Sequence, residues 1–133
     1  TDWIIIDGPP GIGCPVNASL AGSDYVVLIA EPTLSGMHDL KRLIELLNTF
    51  KYKHGIVVNK YDLNESITQD IIKYAKEKGT PILGLIEFNQ DFVHSLQAGK
   101  IIIDYNPDIK TQIQEIWDRI NFLTSLTIKD DIS

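Results

Sequence analysis

The string Asp7-Gly8-Pro9-Pro10-Gly11-Ile12-Gly13-Cys14-Pro15 holds the densest candidate chemistry in the chain. It directly follows the apolar run Trp3–Ile6, which would set Asp7 at the end of a buried strand. A carboxylate there can hold Mg2+, often through a water, beneath the phosphates of a nucleotide. Glycines at 8, 11 and 13 allow a tight turn whose N–H groups point at an anion, and the prolines stiffen it. An ordinary strand-to-helix turn, with Asp7 capping the helix that follows, explains the same residues. A second group, Asn59-Lys60-Tyr61-Asp62, follows the run Ile56–Val58. The asparagine amide can pair with a purine through both its oxygen and its nitrogen. In an N-K-x-D arrangement the aspartate accepts from guanine N1–H and the exocyclic amine. A turn with Asp62 or Asn64 capping the next helix accounts for these residues as well.

Other reactive types are sparse. A G-x-x-x-x-G-K-[ST] loop is absent; the only Gly-Lys pair, Gly99-Lys100, has His94 at the first glycine position and Ile101 at the hydroxyl position. The element that would cradle β- and γ-phosphates is therefore not in these residues. Cys14 is the single cysteine, which excludes a disulfide framework, a CxxC pair and a cluster held by this chain alone. It reads first as a small packed thiol. Glu31, after the second apolar run, points to the same edge and is a candidate for positioning water. His38, Asp39 and Arg42 share a helical turn and read as a solvated face or an interface. His54 and His94 lack partners at metal-ligand spacing and read as structural or exposed.

The positioning elements follow from apolar periodicity. Trp3–Ile6, Tyr25–Ala30, Ile56–Val58 and Ile82–Ile86 are short runs without polar alternation, as expected of strands buried on both faces. Helical spacing separates them. Met37, Leu40, Ile44, Leu47 and Phe50 form one stripe behind a Ser35 cap, and Ile67, Ile71 and Tyr74 form another that Gly79-Thr80-Pro81 ends. Phe92 to Ala98 is a shorter piece closed by Gly99, and Asn106-Pro107 opens a last helix through Ile109, Ile113, Ile116, Ile120 and Leu123. Alternation of this kind predicts a doubly wound α/β domain, a mainly parallel sheet with helices on both faces, which binds ligands beyond the carboxyl ends of its strands.

With 133 residues, 44% apolar and 23% charged, one domain is expected, with a frayed tail over residues 128–133. A net charge of −6 opposes a nucleic-acid groove or an anionic membrane surface, and no apolar run is long enough to span a bilayer. No signal-like opening is present, so the expected compartment is a reducing cytoplasm. A chain that opens at Thr1 and reaches an apolar run by Trp3 is expected to be part of a longer protein.

Taken together, Asp7 to Val16, Glu31-Pro32-Thr33 through Ser35-Gly36, His38 to Arg42 and Asn59-Lys60-Tyr61-Asp62 resemble the MinD/ParA/Mrp class of P-loop ATPases. The likeness is strongest to the branch with an inserted ferredoxin-type domain, and it covers roughly residues 2 to 120. It implies that residues 1–127 form the C-terminal part of a MinD-like, P-loop NTPase-like domain. The P-loop and a 4Fe-4S insert would lie upstream. It further implies ATP and Mg2+ as ligands and a nucleotide-sandwich homodimer. By that resemblance Asp7 would position Mg2+ or its water, Gly8, Pro10 and Gly11 would line the phosphates, and Asn59 with Lys60 and Asp62 would flank the base. Two departures stand out. Relatives usually carry a proline after the fourth strand, where this chain reads Leu85-Ile86-Glu87-Phe88, and the late CxxC pair of Mrp-type cluster carriers is absent. A GTPase read through Asn59-Lys60-Tyr61-Asp62, and a non-catalytic α/β interaction or regulatory domain, are the alternatives.

Overall fold

β-branched residues crowd the strand segments because they pack well on a pleated surface covered from both sides. The computed structural model describes residues 3–6, 8 and 20–132. Within them, β1 (Val26–Ala30), β2 (His54–Asn59) and β3 (Ile82–Ile86) pair in parallel in that order. The connecting helices are α1 (Leu34–Thr49) between β1 and β2, and α2 (Glu65–Glu77) between β2 and β3. After β3 come α3 (Asp91–Gln97), α4 (Ile102–Tyr105) and the long α5 (Pro107–Ile132).

Alternation along the strands divides the core in two. On one face Leu28, Ala30, Ile56 and Val58 meet Leu40, Ile44 and Leu47 of α1 and Ile71 and Ala75 of α2, all buried. On the other face Val57 and Leu83 are buried beneath α5, whose Ile109 is fully enclosed. Gly84 lets α5 approach, because a Cβ there would overlap the Ile116 side chain. An irregularity between Ile56 and Val57 brings Val57 opposite Gly84. Helices on both faces of a parallel sheet match the doubly wound expectation.

Four expectations need correction. Trp3–Ile6 is not part of the sheet: Ile4 and Ile5 are exposed, and the Trp3 ring packs instead on Trp117 of α5 at 4.9 Å between centroids. Burial on both faces fails for β1. Val27 and Ile29 of β1 lie on the α5 face, beyond the reach of that helix, and Ile29 stays 64% exposed. The cap of α1 is Thr33, not Ser35: Thr33 has extended backbone and its Oγ1 accepts from Gly36 N at 2.9 Å. The chain is already helical at Leu34, so Ser35 sits inside the first turn. Phe50, counted on the apolar stripe, lies just beyond the helix and is exposed.

The other stops and starts behave as residue chemistry requires. Asn106 Oδ1 accepts from Asp108 N and Ile109 N to open α5, while its amide nitrogen donates to Asp91 Oδ2 at 2.8 Å. Gly79 and Gly99 take the left-handed conformation that closes α2 and α3. Among the described residues no helix is long and apolar enough to cross a membrane.

Candidate functional site

Parallel pairing brings the carboxyl ends of all three strands to one edge. Ala30 pairs with Val58 and Asn59 with Ile86, so Glu31, Asn59 and the Glu87-Phe88 segment emerge side by side. Lys60 follows with φ 56° and ψ 44°, a left-handed backbone that is uncommon outside glycine and recurs at functional sites. Its Nζ reaches Glu31 Oε1 at 3.5 Å and closes an exposed ion pair across the ends of β1 and β2. An exposed pair of this kind contributes little to stability, about 0–1 kcal/mol. Both groups therefore stay available to a ligand.

Asp62 does not cap the next helix. It lies in a 3-10 turn, Tyr61–Leu63, and its Oδ1 accepts from Phe88 N at 2.7 Å, tying the β2–α2 turn to the loop after β3. The cap of α2 is Asn64, whose Oδ1 accepts from Ile67 N at 3.0 Å. Buried Thr68 donates to Tyr61 O at 2.8 Å and anchors the turn from below. Asn59, by contrast, is half-buried at the end of β2, and its side-chain amide forms no hydrogen bond to the described residues. A half-buried amide without partners at the carboxyl edge of a parallel sheet is suited to reading the edge of a base.

The start of α1 is compressed against the same edge. Thr33 N donates to Glu31 O at 2.8 Å, and a Cβ at Gly36 would come within 2.5 Å of Glu31 O. Any side chain at position 36 would thus push Glu31 out of line with Lys60. Sequence reading named Gly36 only within a motif; its steric role depends on this close approach.

Of the other candidates, Gly8 is described and exposed, whereas Asp7, Pro10, Gly11 and Cys14 lie outside the described residues. His38, Asp39 and Arg42 are exposed on α1 and form no ion pair among the described residues. His54 is structural: Nδ1 bonds Tyr52 O at 2.8 Å and Nε2 bonds Thr80 Oγ1 at 3.1 Å, both inside the protein at the amino end of β2. His94 pairs with Asp91 on α3 at 3.3 Å. No group of three or more His, Cys, Asp and Glu suited to a metal ion occurs among the described residues. An open cavity of about 390 Å3 between β3 and α5, lined by Ile82, Asp118, Arg119 and Phe122, lies at the opposite, amino end of β3.

No protein-family model matches the chain. By sequence it is 38% identical over 117 residues to an uncharacterized protein of Methanocaldococcus jannaschii, covering 87% of this chain and 38% of that one. An uncharacterized ATP-binding protein of the same organism is 29% identical over 128 residues, with 93% and 48% covered. The septum site-determining protein MinD of Thermotoga maritima is 26% identical over 128 residues, with 90% and 46% covered. Among solved structures, the cell division ATPase MinD of Pyrococcus furiosus superposes with a TM-score of 0.73 at 18% identity, over 92% of this chain and 52% of that one. The fold is α/β and P-loop NTPase-like. MinD of Pyrococcus horikoshii, solved with Mg-ADP, gives a TM-score of 0.69 at 16% identity, with 91% and 51% covered. The chain spans about half the length of these relatives or less.

Proposed function

We propose that the chain is the C-terminal part of a MinD/ParA-class protein that binds and hydrolyses ATP at the carboxyl edge of its sheet. The observation that carries this reading is the half-buried Asn59 amide at that edge, without a hydrogen-bond partner among the described residues, in a chain similar to an ATP-binding protein and to MinD. The Asn59 amide oxygen would accept from adenine N6–H while its nitrogen donates to N7. The Lys60 stem would lie along the base, and Glu31 would hold the Lys60 ammonium away from the adenine edge. The phosphates would meet the Gly8, Pro10 and Gly11 loop. Asp7 would hold Mg2+, which supplies charge neutralisation at the γ-phosphate.

The GTPase reading rests on Asp62, whose Oδ1 is engaged by Phe88 N of the loop after β3, whereas the chain is similar to an ATP-binding protein. We therefore assign ATP. A cytoplasmic homodimer with the nucleotide between subunits, and an upstream 4Fe-4S insert, complete the proposal. The insert rests on the resemblance carried by the Gly8 to Val16 string together with the Glu31 to Gly36, His38 to Arg42 and Asn59 to Asp62 motifs, and iron and sulfide analysis of the full-length protein tests it.

Titration calorimetry on the full-length protein tests the function. Micromolar, Mg2+-dependent ATP binding with turnover is expected, while the 133 residues alone should bind ATP no tighter than about millimolar, roughly −4 kcal/mol, for want of a phosphate-cradling lysine loop. Absence of ATP binding to the full-length protein overturns the reading and favours an interaction domain without turnover.

A further inference from the structure

We propose that Arg119 locks a bulge that closes the free edge of β3, and that the contact it prevents is strand pairing with β3 of a second copy of this chain. The inference does not depend on the nucleotide reading. Ile82–Ile86 is Ile-Leu-Gly-Leu-Ile, five uncharged residues without a proline, the composition of a segment that adds readily to another strand. It ends the three-stranded sheet, so one side of it is unpaired among the described residues. Ile56 N donates to Pro81 O, which turns the N–H and C=O of Ile82 toward that side. Beside this edge lies the open apolar cavity against α5, where Phe122 is 65% exposed. A second copy would meet both a backbone template and an apolar seat, and two identical edges can pair about a two-fold axis.

The template is interrupted at Leu83. Ile56 pairs with Ile82 and Val57 with Gly84, which leaves Leu83 as an extra residue with no partner on β2. A bulge of this kind breaks the even spacing of the outward backbone groups, so a strand added at Ile82 cannot keep its register beyond it. Arg119 holds the bulge in place: its Nη1 donates to Leu83 O at 2.8 Å, giving the carbonyl of the extra residue a partner. The guanidinium reaches that far because Gly84 admits Ile116 of α5, and Arg119 follows Ile116 by one turn on the same helix face. Arg119 is exposed, so it also sets a charge beside the edge, another device by which sheets discourage pairing. Without the guanidinium, Leu83 O loses its partner and β3 can relax toward the regular ladder that a second strand reads.

The test uses the nucleotide-free full-length protein, with sedimentation velocity for mass, amide hydrogen exchange for location, and circular dichroism with urea denaturation for folding. Arg119→Ala should keep the wild-type circular dichroism and self-associate with rising concentration into species roughly twice the wild-type mass. In those species the Ile82 amide should exchange about tenfold more slowly or beyond, with Val27 and Ile29 of β1 unchanged. Arg119→Lys, which keeps a donor and the charge, should match the wild type. An Arg119→Ala protein that stays at wild-type mass overturns the proposal, as does association that slows Val27 or Ile29 in place of Ile82. Lost helical circular dichroism, or a urea midpoint well below wild type, would mean that Arg119 holds the fold and not the edge, and overturns it too.

Discussion

The two ends of the central strand handle polar groups in opposite ways. At the amino end of β2, His54 is buried and both ring nitrogens are bonded, one to Tyr52 O and the other to Thr80 Oγ1. At the carboxyl end, the Asn59 amide has no partner among the described residues, Lys60 adopts a left-handed backbone, and the Glu31–Lys60 pair stays in water. Polar atoms enclosed by packing must be satisfied, or folding bears about 1–3 kcal/mol per group. Those left open at a sheet edge are free to be satisfied by a ligand. The amino end is therefore structural, whereas the carboxyl end holds the open polar groups that the proposed nucleotide site would use.

The largest expected effect is at the amino end. His54→Ala removes a buried side chain and leaves Tyr52 O and Thr80 Oγ1 without their partner, and should lower unfolding free energy by about 3 kcal/mol in urea titrations. Nucleotide affinity of the folded protein should not change. A loss of affinity at unchanged stability would contradict the division between the two ends.

Gly84→Ala should cost about 2 kcal/mol, because the new methyl group overlaps Ile116 and lifts α5 from β3. Near-ultraviolet circular dichroism of Trp117, which packs on Trp3, reports whether the helix has shifted. A well-packed variant of native stability would show that the contact gives more easily than its geometry implies.

A smaller effect concerns Tyr25, whose hydroxyl is buried without a hydrogen-bond partner among the described residues and would lie 2.7 Å from a Cβ at Gly55. Burial pushes its pKa up from 10.0 to about 12. The unfolded chain then releases this proton first, so stability present below pH 10 falls as pH rises from 10 to 12. Tyr25→Phe should gain about 1 kcal/mol at neutral pH and lose that alkaline slope. Chemical denaturation at pH 7 and pH 11 checks both, and a destabilised Phe variant would mean the hydroxyl has a partner.

Much of this architecture is legible from residue type, because it depends on near neighbours. The run Ile82–Ile86 is β3 residue for residue, Asn106 caps α5, and Gly79 and Gly99 end their helices. What escapes the sequence depends on distant partners. Trp3–Ile6 has the composition of a strand, yet its tryptophan settles on Trp117, more than a hundred positions away. Val27 and Ile29 are as apolar as the residues of β2 but have no covering helix among the described residues. Within the candidate site, Asn59 and Lys60 stand where the motif suggests. Asp62 serves a loop that no local pattern connects to it. The short helix Ile102–Tyr105 carries no capping signal and is visible only in the structure.

The central claim, that the carboxyl end is reserved for a base, is tested most directly by Asn59→Ala in the full-length protein. ATP affinity and urea stability should be measured on the same sample. Because the amide has no hydrogen-bond partner among the described residues, stability should stay within about 0.5 kcal/mol of wild type while ATP affinity falls about tenfold or more. A variant that loses 2 kcal/mol or more of stability, yet binds ATP as well as wild type once folded, would contradict the account.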